Sequence, residues 1–238
     1  MQYIREIKLK KPINEDSYLY GLAIVRYLSE HKSIPLTNNV TFFVGENGTG
    51  KSTLLEAIAV AYGFNAEGGT RNFCFSTHDS HSELYSHLTI SKSKHPKDGY
   101  FLRAESFYNA ASYIDEIGAA RHYGGESLHK LSHGESFLSL MENRFSGNGI
   151  YILDEPEAAL SPTRLLSLIV LIDMLVKKDS QFVIATHSPI LLAFPNALIY
   201  ELSEKGIESV LYKETEHYLL TKQFLENPDR MLKYLLDS

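Results

Sequence analysis

The sequence predicts a mixed α/β fold with a mostly parallel core sheet, and three observations support it. Strand patterns alternate with helical patterns along most of the 238 residues, as at 39–44 and 53–62. Apolar residues make up 44% of the chain, which is enough for a sizeable core. Residues 71–103 instead mix Thr, Ser, His, Tyr and Phe in a polar, strand-like pattern. We therefore expect a small antiparallel β layer beside the parallel sheet.

The first elements follow from hydrophobic periodicity. Residues 3–10 alternate in polarity and predict a strand, and residues 17–30 carry an amphipathic helical pattern. The run 39–44 is apolar and rich in β-branched and aromatic residues, which favours a buried strand. Residues 53–62 place apolar side chains at helical spacing, and Gly63 is a typical helix end.

The later elements follow from the same patterns. Residues 105–146 predict helices and glycine loops, and residues 149–153 form a buried strand. Ser161–Pro162 begins a helix as its N-cap and first residue. The remaining predicted elements are a buried strand over 181–186, a hairpin of 197–202 with 207–212, and helices near 215–226 and 229–236.

The octapeptide Gly45–Ser52, Gly-Glu-Asn-Gly-Thr-Gly-Lys-Ser, fits the phosphate-loop pattern G-x-x-x-x-G-K-[ST]. It lies between a predicted strand and a predicted helix, where backbone N–H groups and a helix N-terminus can surround phosphate oxygens. Lys51 would reach the β- and γ-phosphates, and the Ser52 hydroxyl would ligate Mg²⁺. The loop therefore predicts a nucleoside triphosphate bound with Mg²⁺.

Two carboxylates end the apolar strand at 150–155. At the carboxyl edge of a parallel sheet they would face the phosphate loop. Asp154 is then the expected second Mg²⁺ ligand, and Glu155 is placed to orient and deprotonate the attacking water. The alternative is a simple Asp-Glu turn before Pro156.

Two further segments contain side chains suited to phosphate. Ser132, in Leu131–Ser136, begins a Ser-x-Gly-Glu run that presents a hydroxyl and free N–H groups to an anion, although a plain helix N-cap explains it too. His187, in Ala185–Pro189, follows a predicted strand and can donate to a γ-phosphate. Its alternative is an ordinary turn histidine.

Taken together, these segments resemble the ABC-type ATPases over most of the chain. Gly45–Ser52 matches the Walker A loop, Leu131–Ser136 the signature motif and Tyr151–Glu155 Walker B. Ala158–Ser161 resembles the D-loop, and His187 the switch histidine. The Asp-Glu-Pro-Glu and Thr-His-Ser-Pro runs look closest to small stand-alone bacterial ABC/AAA-type ATPases, distant relatives of SMC and RecF-like ATPases.

The resemblance implies a P-loop NTPase fold of the ABC-ATPase type as a single domain over 1–238. Its core would comprise about 1–104 and 149–238, with a reduced helical lobe containing the signature inserted at about 105–148. Lys51, Glu155 and His187 would be catalytic, and Ser52 and Asp154 would hold the metal. The residues implied to hold the nucleotide in the same subunit are Asn47, Gly48, Thr49, Gly50, Lys51, Ser52 and Thr53.

The resemblance also implies an ATP-dependent homodimer. In the family, two subunits pack head to tail around two ATP molecules, so Ser132 and Gly134 would contact the γ-phosphate bound by the other subunit. A ligand that binds the dimer better than the monomer must favour the dimer. The chain is therefore expected to be an ATP-hydrolysing switch or motor that acts on an unknown protein partner.

Three positions depart from the family or stay open. His133 stands where the signature usually has glycine, and no glutamine lies between Walker A and the signature. Residues 103–106 are the positional equivalent of that glutamine loop, with Glu105 or Asn109 as substitute metal or water contacts. The candidates for an aromatic residue stacked on adenine are Tyr3, Tyr18 and Tyr20, each with core packing as its alternative.

The net charge and the length of individual segments limit the classes of protein to which the chain can belong. A net charge of −6 argues against a strongly basic nucleic-acid binder, and the basic positions in 92–103 are typical of a solvated strand face. One cysteine, no signal peptide and no apolar stretch longer than 165–176 predict a cytoplasmic protein without membrane insertion. Only 26 residues separate Glu105 from Ser132, which is short for a transporter ATPase. The alternatives are a transporter subunit and a component of DNA repair or defence.

Overall fold

The computed structural model describes residues 2–70, 82–105, 107, 133–204 and 206–236. The strands among them are β1 (Ile4–Leu9), β2 (Ser33–Pro35), β3 (Val40–Gly45), β4 (Leu88–Lys92), β5 (Asp98–Arg103), β6 (Gly149–Asp154), β7 (Gln181–Ala185), β8 (Leu198–Ser203) and β9 (Gly206–Ser209). The α-helices are α1 (Ala23–His31), α2 (Lys51–Tyr62), α3 (Leu84–His87), α4 (His133–Arg144), α5 (Pro162–Lys177), α6 (Pro189–Leu192), α7 (Glu216–Glu226) and α8 (Pro228–Leu236). Short 3₁₀ turns span Tyr18–Gly21, Pro156–Ala159 and Tyr212–Glu214.

A six-stranded sheet forms the centre, in the order β5-β6-β7-β3-β8-β9. Strands β5 to β8 run parallel, and β9 pairs with β8 in the antiparallel direction. Every residue of β3, β6 and β7 is buried. This burial explains their nearly continuous apolar runs, because a parallel sheet is covered on both faces.

Two hydrophobic clusters cover the two faces of this sheet. On one face, Phe43 and Ile152 pack with α1, α2 and the small sheet. On the other, Phe42 and Tyr151 pack with the apolar sides of α4, α5 and α6. Neighbouring residues of one strand therefore belong to different clusters, as the alternation of side chains along a strand requires.

A second, three-stranded antiparallel sheet has the order β2-β1-β4. The buried amide of Gln181 links it to the central sheet. Its Oε1 accepts from the backbone N–H groups of Tyr3 and Ile4 at 2.7 and 2.8 Å, and its Nε2 donates to the Ile4 carbonyl at 2.9 Å. The two sheets are thus joined through β1 and β7.

A buried carboxylate attaches the end of α4 to the central sheet. Asp98, on β5, accepts hydrogen bonds from Arg144 at 2.8 Å, the Ser146 backbone at 2.9 Å and the Tyr151 hydroxyl at 2.7 Å. Burial alone would raise the pKa of Asp98, but the Ser146 and Tyr151 hydrogen bonds and the Arg144 cation outweigh it, so the pKa is lowered.

The predicted fold class, a mostly parallel core sheet with a small antiparallel layer, is confirmed. The composition of that layer differs in one respect. Within the polar segment 71–103, β4 joins the small sheet, but β5 runs parallel to β6 in the central sheet. Residues 71–81 of that segment lie outside the described residues, and the polar, strand-like pattern could not show which sheet each strand would join.

The predicted closing hairpin is present as β8 and β9, although β8 also pairs in parallel with β3. In the predicted lobe at 105–148, the described secondary structure is α4, and residues 108–132 lie outside the described part of the chain. The lobe and the single-domain organisation therefore stay predictions. Across the described segments, every helix is too short or too polar to cross a membrane.

Candidate active site

The phosphate loop lies where β3 ends and α2 begins. Gly45, Gly48 and Gly50 have φ values of 146°, 85° and 92°, which side-chain-bearing residues rarely adopt. A Cβ atom on Gly45 would lie 2.2 Å from the Leu202 carbonyl oxygen on the neighbouring strand β8. The glycine at this position is therefore required both by the turn and by the close approach of β8.

Lys51, the first residue of α2, is buried beneath this loop. Its ammonium donates to the carbonyl oxygens of Gly45 and Glu46, both at 2.8 Å. Burial lowers its pKa, and the nearby carboxylates of Glu155 and Asp154 oppose that effect. The lysine thus lies among the backbone groups that would surround a phosphate, with the partly exposed Ser52 and Thr53 following it on the first turn.

The predicted metal ligands lie within hydrogen-bonding distance of each other. The Ser52 hydroxyl donates to Asp154 Oδ1 at 3.0 Å, which joins the start of α2 to the end of β6. Burial raises the pKa of Asp154 to about 6, although Arg103 and the Ser52 hydrogen bond act in the opposite direction. A hydroxyl beside a buried carboxylate is an all-oxygen donor pair, and hard cations such as Mg²⁺ prefer oxygen donors.

Arg103 is a site residue that the sequence analysis assigned to a solvated strand face, and that assignment is wrong. It ends β5 directly beside Asp154 in the sheet register, with its Nε 3.5 Å from Asp154 Oδ2. Its Nη1 donates to Glu56 of α2 at 2.8 Å. Glu105, proposed as a substitute metal or water contact, is highly exposed and lies 3.7 Å from Arg103. The other candidate, Asn109, lies outside the described residues.

Glu155 occupies a left-handed backbone conformation, with φ 50° and ψ 51°, where non-glycine residues are uncommon. Its backbone N–H donates to the Ala185 carbonyl at the end of β7. Its side chain meets the switch-histidine candidate, since His187 Nε2 lies 3.0 Å from Glu155 Oε1. The structure therefore brings together the predicted base and the predicted phosphate donor, although they are 32 positions apart.

Two more residues beside this pair were not identified from the sequence. Glu157 accepts from the His187 backbone N–H, and burial raises its pKa. It is the second glutamate of the Asp-Glu-Pro-Glu run, which was the available signal. His217, on the first turn of α7, places its Nε2 3.2 Å from His187 Nδ1. No sequence pattern connected that helix with the site.

A cavity of about 290 Å³ adjoins the phosphate loop. The loop lines it together with Gly21, Ala23 and Arg26 at the start of α1 and with the end of β8. Of the adenine-stacking candidates, Tyr3 is only 1% exposed and belongs to the core, which excludes it. Tyr18 is 68% exposed, and Tyr20 is partly buried against the core, so both stay candidates.

The described part of the signature segment packs against the D-loop-like residues of the same chain. A Cβ atom on Gly134 would lie 2.9 Å from the Ala159 carbonyl and 3.0 Å from Arg164 Cδ, so glycine is needed at this contact. Glu135 accepts from Arg164 at 2.9 Å. Ser132 and the side chain of His133 lie outside the described part of the chain.

Two family matches fall on these segments. Residues 23–113 match the family described as "AAA domain". Residues 127–193 match the family described as "AAA domain, putative AbiEii toxin, Type IV TA system". The first match contains the phosphate loop, and the second contains the acidic pair and His187. No curated protein matches the chain.

Solved structures share the fold at low sequence identity. CbiO1 from Clostridium perfringens, part of the ABC transporter complex CbiONQ, is 16% identical with a TM-score of 0.54, and the match covers all of both chains. An inward-facing metal-chelate type ABC transporter is 16% identical with a TM-score of 0.51, and the match covers 93% of this chain and 88% of the other. The Smc head bound to the C-terminal winged-helix domain of ScpA is 15% identical with a TM-score of 0.50, over 88% of this chain and 98% of the other.

Both matches are to AAA-domain families, and they lie before and after residues 114–126. The chain therefore has the fold of a P-loop NTPase of the ABC/AAA type.

Proposed function

We propose that this chain binds ATP with Mg²⁺ and hydrolyses it at the site formed by the ends of β3, β6 and β7. One observation supports this most directly. Two pairs of predicted site residues, Ser52 with Asp154 and Glu155 with His187, each lie 3.0 Å apart next to the phosphate loop. The first pair is suited to a hard cation and the second to proton transfer.

The loop would bind the phosphates. The backbone N–H groups of residues 47–53 lie around the N-terminus of α2, which favours anions. The Lys51 ammonium, now bonded to two loop carbonyls, can exchange them for phosphate oxygens with a small movement of its side chain. The cavity lined by Gly21, Ala23 and Arg26 lies on the side of the loop where a nucleoside can extend.

Ser52 and Asp154 would hold Mg²⁺, whose charge offsets the negative charge of the phosphates. Both ligand oxygens belong to regular secondary structure: Ser52 is at the start of a helix and Asp154 is at the end of a fully buried strand. The raised pKa of Asp154 is consistent with a carboxylate that a nearby cation would stabilise.

Glu155 would act as the general base. Its carboxylate accepts a proton from water as the water oxygen bonds to the γ-phosphorus and the bond from that phosphorus to the β–γ bridging oxygen breaks. The Glu155 side chain is about one third exposed, so water can reach it. His187 Nε2 would donate to a γ-phosphate oxygen, a role for which its position beside Glu155 is suitable.

We further propose an ATP-dependent homodimer, with Ser132 and Gly134 of each subunit completing the site of the other. The loop residues Glu46, Asn47 and Gly48 are exposed, so this chain leaves that side of the site open to a second subunit. ATP enclosed by both subunits would favour the dimer, and hydrolysis would release it. A cycle of this kind fits a switch or motor that acts on a protein partner.

The cellular process in which the ATPase acts has two candidates, a defence or repair system and a transporter. The match of residues 127–193 to a family described by a toxin–antitoxin system favours the defence alternative over a transporter subunit. A defence or repair role linked to nucleic acid predicts ATPase stimulation by DNA or RNA with a steep salt dependence. A transporter role predicts co-purification with a membrane subunit.

The Glu155→Gln variant tests the proposed hydrolysis and dimer. Without its base, it should hydrolyse ATP at least ~100-fold more slowly, bind ATP normally and accumulate as a dimer with ATP. Turnover is measured by phosphate release, and mass by light scattering. Full ATPase activity would refute the role of Glu155, and a variant that stays monomeric with bound ATP would refute the dimer.

The Lys51→Ala variant is the matched control for binding. It should lose tight ATP binding, because the loop then lacks its cation for the β- and γ-phosphates. Unchanged ATP affinity, measured by calorimetric titration, would remove the phosphate-loop assignment itself. An affinity capture with the ATP-loaded Glu155→Gln protein then provides a route to the partner.

A further inference from the structure

Three side chains form a line from the proposed base to the C-terminal helices. His187 Nε2 lies 3.0 Å from Glu155 Oε1, and its Nδ1 lies 3.2 Å from His217 Nε2. The two imidazole rings are 5.3 Å apart at their centroids and tilted by 40°. Both ring nitrogens of His187 therefore have a partner, one on each side of the ring.

These contacts select one arrangement of protons. A carboxylate accepts hydrogen bonds, so the proton of a neutral His187 is on Nε2, facing Glu155, and its Nδ1 is an acceptor. His217 must then donate from Nε2, which leaves its own Nδ1 without a proton. That Nδ1 is buried and has no hydrogen-bond partner among the described residues. An unprotonated nitrogen is the less costly choice there, because an unpaired buried N–H is rare.

The burial of His217 supports the same arrangement. Burial lowers the pKa of His217, and the neighbouring His187 lowers it further, so the neutral ring is favoured. When a neutral His217 donates from its Nε2, the Nδ1 of His187 must accept. A neutral His187 then has its proton on Nε2. The direction of both hydrogen bonds is thus the same, from His217 to His187 to Glu155.

The first turn of α7 holds His217 in place. Thr215 is the buried N-cap, and its hydroxyl donates to the Tyr212 carbonyl at 2.8 Å. The Glu216 backbone N–H donates to Glu201 of β8 at 3.0 Å. The rings of Tyr212 and Tyr218 pack 4.7 Å apart. The helix end that carries His217 is therefore fixed to β8, the neighbour of the phosphate-loop strand.

We propose that His217 is a positioning residue for ATP hydrolysis, which holds the His187 ring in the Nε2–H tautomer that faces Glu155 and the γ-phosphate. The effect on ATP hydrolysis rests on the proposed function. The tautomer rests only on the contacts of His187 with Glu155 and His217. It makes α7 a part of the active site, although this helix lies 30 residues beyond the switch histidine and outside both family matches.

The first test measures the tautomer without nucleotide. In ¹⁵N-histidine NMR spectra, with the His187 signals assigned from a His187→Gln sample, the wild-type His187 ring should have its proton on Nε2. In His217→Leu, which keeps bulk but has no donor, only Glu155 still favours the Nε2–H form, so the Nε2–H fraction of His187 should fall and the Nδ1–H form should become detectable. In His217→Gln, whose amide can still donate, the Nε2–H tautomer should persist. An unchanged His187 tautomer in a folded His217→Leu protein would overturn the proposal.

The second test separates positioning from binding. His217→Leu should lower kcat about tenfold while the ATP Kd stays unchanged, and His217→Gln should recover most of the loss, as expected for a group that orients another. The matched control is His31→Leu, an exposed histidine stacked on Tyr27 far along the chain, which should leave both values unchanged. Equal kcat in wild type and His217→Leu would refute the catalytic role. An inactive wild-type protein would instead refute the proposed function, and the NMR result would still decide the tautomer.

Discussion

Replacing Asp98 by alanine should cost this fold about 3 kcal/mol, which is large for one side chain. Asp98 is 6% exposed and accepts from Arg144, Tyr151 and Ser146, which joins β5, β6 and the end of α4. The alanine variant would remove the buried carboxylate that accepts from the Arg144 guanidinium and the Tyr151 hydroxyl. Removing one partner of a buried ion pair typically costs about 3 to 5 kcal/mol, and we take the lower end because Arg144 is 27% exposed.

Urea unfolding followed by circular dichroism measures this cost. With an m-value of about 2 to 3 kcal/mol/M, the midpoint of Asp98→Ala should fall by roughly 1 to 1.5 M. The control is Asp173→Ala, which removes an exposed i,i+4 pair with Lys177 and should cost under about 0.5 kcal/mol. Similar midpoint shifts in the two variants would refute the reasoning.

The same pair of proteins gives a pH test. Because the pKa of Asp98 is lowered on folding, its ionised form stabilises the native state at neutral pH. That contribution is lost as pH falls through the folded pKa. The stability difference between wild type and Asp98→Ala should therefore be full at pH 7 and shrink in acid. A difference that grows on acidification would contradict the assigned direction.

Three further substitutions test other parts of the site. Gly45→Ala should abolish ATP binding and lower the melting temperature, because its Cβ would lie 2.2 Å from the Leu202 carbonyl; a normal melt would contradict that geometry. Arg103→Leu should cost about 2 kcal/mol by removing the cation that pairs with the largely buried Glu56, with partial recovery in Arg103→Lys, both measured by thermal denaturation. Ser132→Arg should leave ATP binding by the monomer intact but prevent dimers of the Glu155→Gln protein in light scattering; persistent dimers would refute the signature assignment.

Much of the fold was predictable because its strong signals are local. Strands β3, β6 and β7 are nearly continuous apolar runs, and a phosphate loop with glycines at fixed positions can be recognised without tertiary information. The place of Asp154 and Glu155 in the site could also be predicted from the sequence, because residues that end a parallel strand lie at one edge of the sheet. The meeting of Ser52 with Asp154 follows from that rule.

The missed residues depend on register and on distant packing. Arg103 lies next to Asp154 only because β5 pairs with β6 in a register that sets the two residues side by side. A polar strand pattern cannot show that pairing. His217 reaches His187 because the chain turns back after β9, and no periodicity in 215–226 indicates the contact. Glu157 was visible in sequence, but its bond to the His187 backbone required the fold.

The position of β3 in the sheet also has a consequence for biosynthesis. Its two neighbours, β7 and β8, come much later in the chain, with Phe43 beside both Ala185 and Tyr200. A ribosome makes the N-terminal part first, so this fully buried and mostly apolar strand emerges long before either neighbour exists. The phosphate loop is thus among the first site segments to be translated. The strand that precedes it can pair with its neighbours only after residues 181–202 have been translated. Nascent chains released before that point would expose β3 to aggregation or to chaperones. ATP binding could not stabilise such chains, because the site is not yet formed.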